Sequence, residues 1–217
     1  MKRKFLLPFL ALGLGALVVY SCGKDKPVSS ESAEVATTKD GTAYVLDTAN
    51  SKIEWKGFKV FKSEHTNHFG TIKFVNGELT AKDGVLESGK FTANMNSLQN
   101  VDIADPTGKG KLEGHLKSAD FFDVAKFPEA SFEITKVTPS TSGDFNTILD
   151  GNLVIKGISK PVQLNANTAV TDNQVTIATE PKEINREEFG VKFQSPAENG
   201  VIKNEVELQI LIKATVK

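Results

Sequence analysis

The C-terminal stretch Glu205–Val216, "EVELQILIKATV", settles the fold class. Val206, Leu208, Ile210, Ile212, Ala214 and Val216 alternate with Glu207, Gln209, Leu211, Lys213 and Thr215. A period of two is that of a β-strand with one face buried and the other largely wet, the usual condition of an antiparallel sheet. The same rhythm runs through "GKFTANMNS", with Phe91, Ala93 and Met95 inward, through "SFEIT" (Phe132, Ile134), and through "PVQLNANTAV" (Val162, Leu164, Ala166, Thr168, Val170). Weaker copies lie in "KIEWKGFKVF", "HFGTIKFVNGEL", "LDGNLVIKG" and "QVTIATE". Turn-forming residues separate them at Asn76-Gly77, Lys82-Asp83-Gly84, Ser142-Gly143-Asp144, Asp150-Gly151, Gly157 and Asp172-Asn173. Short strands at that spacing predict an all-β chain, an antiparallel barrel or sandwich of about eight strands.

One segment breaks the rhythm. In "GKGKLEGHLKSADFF" the residues Leu112, His115, Leu116, Ala119 and Phe122 recur at offsets of three and four, which predicts one short amphipathic helix on the barrel end. Glu113 and Lys117 stand as a favourable i,i+4 pair. Pro128 then biases Phe127 to an extended conformation, where the chain re-enters the sheet.

The N-terminus reads as a targeting segment. Lys2, Arg3 and Lys4 precede an apolar run from Phe5 to Tyr20, and Val19-Tyr20-Ser21-Cys22 has the form of a lipobox ending on the only cysteine. A run this short is expected to be a lipoprotein signal over 1–21, with Cys22 lipidated. Residues 22–42 then form a polar tether and 43–217 the barrel domain. At 5 to 6 Å times the square root of its length, the tether spans roughly 25 Å and holds the domain close to a membrane in the periplasm or at the outer membrane. Loss of Lys2, Arg3 and Lys4 changes the formal charge from -1 to -4, which provides no electrostatic footprint for nucleic acid. With Cys22 acylated no thiol remains for a disulfide, a thiolate metal site or a nucleophile, so stability has to come from buried apolar area.

Signals for catalysis are weak. "GVLESGK", Gly84 to Lys90, has the glycine and lysine spacing of a phosphate-binding loop, but Phe91 stands where a magnesium-holding hydroxyl is needed and a strand follows in place of a helix. A hairpin turn at Asp83-Gly84 and a second bend at Gly89 describe it better. His65 and His68 are three apart, which places them on opposite faces of a strand, and no metal site or cofactor is expected. There is no nucleophile elbow and no acidic pair that spacing defines. The expected residues are therefore non-catalytic. Fourteen Phe against two Tyr and one Trp supply rings that need no hydrogen-bond partner. An eight-stranded barrel is either filled by such rings or left with room for one small ligand, and patterning leaves both open. The expected lining is Trp55, Phe74, Phe91, Met95, Phe121, Phe132, Ile134, Leu153, Leu164, Leu208 and Ile210. His68 and His115 are expected as polar groups near the interior.

Four segments, in order, carry a resemblance: "HFGTIKFVNGEL" (His68 to Leu79), "GHLKSADFFDVAKFPEASFEIT" (Gly114 to Thr135), "LVIKGISKPVQL" (Leu153 to Leu164) and "INREEFGV" (Ile184 to Val191). Together they resemble the YceI-like family. That resemblance implies a lipocalin-like antiparallel barrel over roughly Ala43 to Val216 and a bound polyisoprenoid or similar long-chain lipid. It carries over a frame that includes His68, Gly70, Phe74, His115, Asp120, Phe121, Phe127, Pro128, Phe132, Pro161, Arg186 and Phe189. The stretch Asn100 to Gly110, rich in glycine and holding Pro106, departs from the helical approach the resemblance implies there.

Overall fold

The computed structural model describes residues 40–141 and 143–217. The signal segment expected over 1–21, Cys22 and most of the expected tether lie outside the described residues. Ten strands form one sheet: β1 (Thr42–Leu46), β2 (Lys52–Phe61), β3 (Glu64–Lys82), β4 (Val85–Asn100), β5 (Glu129–Pro139), β6 (Thr147–Ile155), β7 (Ile158–Val170), β8 (Gln174–Thr179), β9 (Lys182–Asn185) and β10 (Gly200–Val216). Every pairing is antiparallel, and β10 closes on β8, so β10-β2-β3-β4-β5-β6-β7-β8 is a ring of eight staves. The two short strands complete broken staves. Along β10, β2 holds Val206 to Leu211 and β1 continues at Ala214 to Val216, while on the other side β9 holds Glu205 to Leu208 and β8 Leu211 to Thr215.

The alternation in Glu205–Val216 points the predicted way for Ile210, Ile212 and Ala214, which are buried; Val216, at the strand's end, is 43% exposed. The hairpin at Asp83-Gly84 turns through left-handed backbone at both residues (φ 51° and 77°), as does Lys156-Gly157 (φ 50° and 73°).

Three of the glycine breaks are not turns. Gly77 lies inside β3, Gly89 inside β4 and Gly151 inside β6. A Cβ on Gly151 would meet Phe132 Cζ at 2.3 Å, one on Gly77 would meet Phe91 Cδ1 at 2.8 Å, and one on Gly89 would meet Phe91 Cζ and Ile134 Cδ1 at 3.1 Å. These glycines are recesses for aromatic rings, a use that a single sequence does not distinguish from a turn.

The single helix among the described residues, α1 (Pro106–Lys117), begins and ends earlier than the spacing of apolar residues predicts. Asp105 caps it by accepting from the Gly108 N–H at 2.7 Å, and Pro106 follows at the first helical position, where no N–H is needed. The apparently non-helical "DPTGKG" is thus a helix start. At the other end the Ser118 hydroxyl donates to the His115 carbonyl at 2.8 Å and the chain leaves the helix. Ala119 to Phe122 therefore fall in the turns that follow. Glu113 does not pair with Lys117: its carboxylate lies 4.0 Å from Lys109 Nζ and accepts from the Asn100 N–H at 2.8 Å, which ties α1 to the end of β4.

Candidate functional site

The interior divides into two halves. At the end carrying the β3–β4 hairpin, Leu79, Leu86, Phe91, Ile134, Leu149, Val175 and Ile212 are buried in one apolar cluster. At the end carrying α1 the barrel is hollow, with a cavity of about 440 Å³, within the roughly 300–1,000 Å³ range of small-molecule sites. Its walls come from β2 (Ile53, Trp55), β4 (Ala93, Met95, Leu98), β5 (Ala130), β6 (Leu153, Ile155) and β10 (Val206, Leu208). Ala93 and Ala130 are register partners on adjacent strands, and two methyl groups side by side leave space where larger residues would fill it.

The mouth is covered by three pieces. Leu112, His115 and Leu116 of α1 form one, Phe121 and Phe122 in the turns after it the second, and residues 191–196 before β10 the third. The His115 ring lies edge-on between Phe193, with centroids 4.5 Å apart, and Phe121, at 5.1 Å, so the helix and the incoming loop clasp one another over the opening. Lys156 Nζ donates to the Phe121 carbonyl at 2.8 Å and fixes the corner from below.

Of the residues the sequence points to, Trp55, His68, Met95, His115, Phe121, Leu153 and Leu208 face the cavity. Phe74, Phe91, Phe132, Ile134, Leu164 and Ile210 do not; they belong to the packed half. Period two fixes which face is inward but not how far along a stave the filling extends, and that depth separates the two groups. Phe58, Lys59, Ile184, Val191 and Phe193 line the mouth without having been expected there. Phe193 sits in a loop with no periodicity to mark it.

The polar lining is cationic or neutral: Lys59, His68, His115, Arg186, Ser195 and Lys203, with no carboxylate among the described residues that face the cavity. Arg186 opens a 3₁₀ turn (Arg186–Phe189) capped by the Asn185 side chain and closed by Gly190. The residue is 3% exposed, and its guanidinium is held by the carbonyls of Val191 (2.6 Å), Lys203 (3.1 Å) and Ile202 (3.4 Å) and by Asn204 Oδ1 (3.0 Å), with the Phe121 ring 5.8 Å away. Burial pulls its pKa below the ordinary arginine value, against the opposing fields of Glu187 and Glu205. Trp55, 8% exposed, carries an indole N–H that is buried without a partner.

A family model described as the YceI-like domain matches residues 44–214. The chain belongs to this family. Among curated relatives, a UPF0312 protein of Enterobacter sp. (strain 638) is 33% identical over 131 residues, 58% of this chain and 63% of that protein. A protein YceI of Salmonella newport (strain SL254) is 34% identical over 124 residues, 54% of this chain and 61% of that one. The matches thus span a little under two thirds of those relatives' length. The crystal structure of Burkholderia cenocepacia BcnA aligns with a TM-score of 0.59 at 19% identity, over 78% of this chain and 99% of that one. A polyisoprenoid binding domain from Saccharophagus degradans, implicated in plant cell wall breakdown, aligns at 0.54 and 14% identity over 81% and 99%. At these identities the likeness shows the lipocalin-like barrel and nothing finer.

In this YceI-like domain His68 belongs to a polar knot at the junction of β3, β4 and α1. His68 Nδ1 lies 2.8 Å from Asp102 Oδ2, and Asp102 Oδ1 accepts from the Phe69 N–H at 2.8 Å and from the Asn100 side-chain amide. Asn100, fully buried, also donates to the Phe69 carbonyl and accepts from the Ile103 N–H. Burial pushes the Asp102 carboxyl pKa up, but the donors from Phe69, His68 and Asn100 outweigh it and hold the pKa below the ordinary 3.8. A depressed folded-state pKa adds stability above the unfolded value, and that stability is lost as pH falls through the folded one. Asp102→Asn should therefore cost about 1–2 kcal/mol at neutral pH through weakened charge-assisted bonds, and the variant should lose less stability than wild type on acidification below pH 3.8. Urea melts at neutral and acid pH check both.

Proposed function

We propose that this YceI-like protein binds one elongated apolar ligand, a polyisoprenoid or similar lipid, in the hollow half of its barrel, and sequesters or carries it in the cell envelope without catalysis. The observation behind this reading is the cavity itself: a largely apolar chamber under a cover of α1, the Phe121 turn and residues 191–196. Sequestering even ~300 Å² of apolar surface at ~25 cal/mol per Å² gains several kcal/mol before ordering costs. The cationic and neutral mouth suits a head that carries oxygen acceptors. The unpartnered Trp55 N–H on the wall suits an oxygen of the ligand or of a water beside it. The polyisoprenoid binding domain of Saccharophagus degradans lends the ligand class by analogy of fold. Lipidation at Cys22 would keep the domain beside the membrane that supplies such a ligand.

Trp55 is the only tryptophan and faces the cavity, so titration with a prenyl alcohol should shift its emission saturably at one ligand per chain. An emission spectrum unmoved by prenyl alcohols and by fatty acids alike contradicts the reading.

A further inference from the structure

The hollow half ends on a floor. Descending from the mouth, the last side chains to face the cavity on their staves are Ile72 on β3, Ala93 on β4, Ala130 on β5 and Leu208 on β10. The next inward residues, Phe74, Phe91, Phe132 and Ile210, do not reach it. Phe74 and Phe91 lie with ring centroids 6.2 Å apart, Phe91 and Phe132 are register partners on β4 and β5, and all three are at most 7% exposed. Gly151 recesses the Phe132 ring into the wall of β6. These rings close the barrel partway down its length.

From this floor, and resting on the ligand-binding reading above, we infer that the domain discriminates ligands by chain length and encloses only about three isoprene units. A cavity of about 440 Å³ stands toward the small end of the roughly 300–1,000 Å³ range of ligand sites. Its depth sets the number: the lining of β2 from Lys59 to Ile53 covers roughly 20 Å of strand at ~3.3 Å per residue, or roughly 15 Å along the axis at the usual tilt of barrel strands, the length of about three extended five-carbon units. Carbons beyond that number cannot pass Phe74, Phe91 and Phe132. They stay outside the mouth, where they bury little and add little affinity. Phe74, Phe91 and Phe132 are thus the residues that set ligand length, although none of them faces the cavity.

The test is a Trp55 emission titration of the intact protein with prenyl alcohols of two, three, four and five units. Each buried methylene contributes ~0.8 kcal/mol, so the step from two to three units should tighten binding by at least about tenfold, and the steps beyond by less than about threefold in total. Affinity that keeps rising about tenfold per unit through five units overturns the inference while leaving ligand binding intact. Binding at no length overturns the ligand-binding reading and this inference with it. Phe132→Leu, or Phe74→Leu if the first does not fold, should move the break to a longer alcohol; a folded floor variant whose break stays at three units also overturns the inference.

Discussion

Arg186→Leu will lower the stability of the barrel by about 3–5 kcal/mol, because it leaves several buried acceptors without a donor. The guanidinium holds the carbonyls of Val191, Lys203 and Ile202 and the Asn204 side chain, which lie on the loop over the mouth and on the first residues of β10. A leucine fills part of the volume but donates nothing. Arg186→Lys should recover only a minority of the loss, since an ammonium cannot reach carbonyls spread over the arc that the planar fork spans. The urea midpoint with its slope measures the change; a loss under about 1 kcal/mol for Arg186→Leu would mean that solvent satisfies those carbonyls and that the loop is not pinned by Arg186.

Ala130→Phe will weaken ligand binding by at least about tenfold. The methyl group stands beside that of Ala93 on the cavity wall, and a ring in its place occupies space the ligand would use. Loss of ~60 Å² of ligand burial at ~25 cal/mol per Å² is about 1.5 kcal/mol, or about tenfold. Because the ring enters a void, the fold should tolerate it, with a thermal midpoint within about 4 °C of wild type, roughly 1 kcal/mol for a chain of this size. Unchanged affinity in a folded Ala130→Phe would place the ligand somewhere other than this chamber.

Much of the barrel is legible in alternation. The inward positions Phe91, Ala93 and Met95, Phe132 and Ile134, and Leu164 and Ala166 are buried as their period implies. What misleads is a residue type with two physical uses. Asn76-Gly77 and Asp150-Gly151 have the composition of a hairpin turn, yet in β3 and β6 their glycines make room for Phe91 and Phe132. Only the partner ring, far away in sequence, tells the two uses apart. Pro106 misleads in the opposite way, since a proline that breaks a helix interior is favoured at its first position once Asp105 is seen to cap it.

The site is less legible than the fold, for a reason of depth. Periodicity assigns Leu208 and Ile210 to the same inward face, yet Leu208 lines the cavity and Ile210 lies beneath it. No local feature of the chain marks where filling stops. That level is set by Phe74, Phe91 and Phe132, three buried rings from three neighbouring strands. The cover is harder still to read, because Phe193 and residues 191–196 sit where no pattern operates. The segment at Cys22 lies outside the described residues, and Cys22→Ser, with its effect on membrane attachment, bears on it separately.

The most direct measurement is mass spectrometry of an organic extract from protein purified without detergent or added lipid, wild type and Ala130→Phe side by side. Wild type should release a long-chain amphiphile at about one molecule per chain, and Ala130→Phe about half of that or less, since an affinity at least tenfold lower brings a site that is about nine-tenths filled down to about half-filled or below. Repeated absence of any such molecule from wild type, together with no uptake of added prenyl alcohols, would contradict a barrel built to hold one.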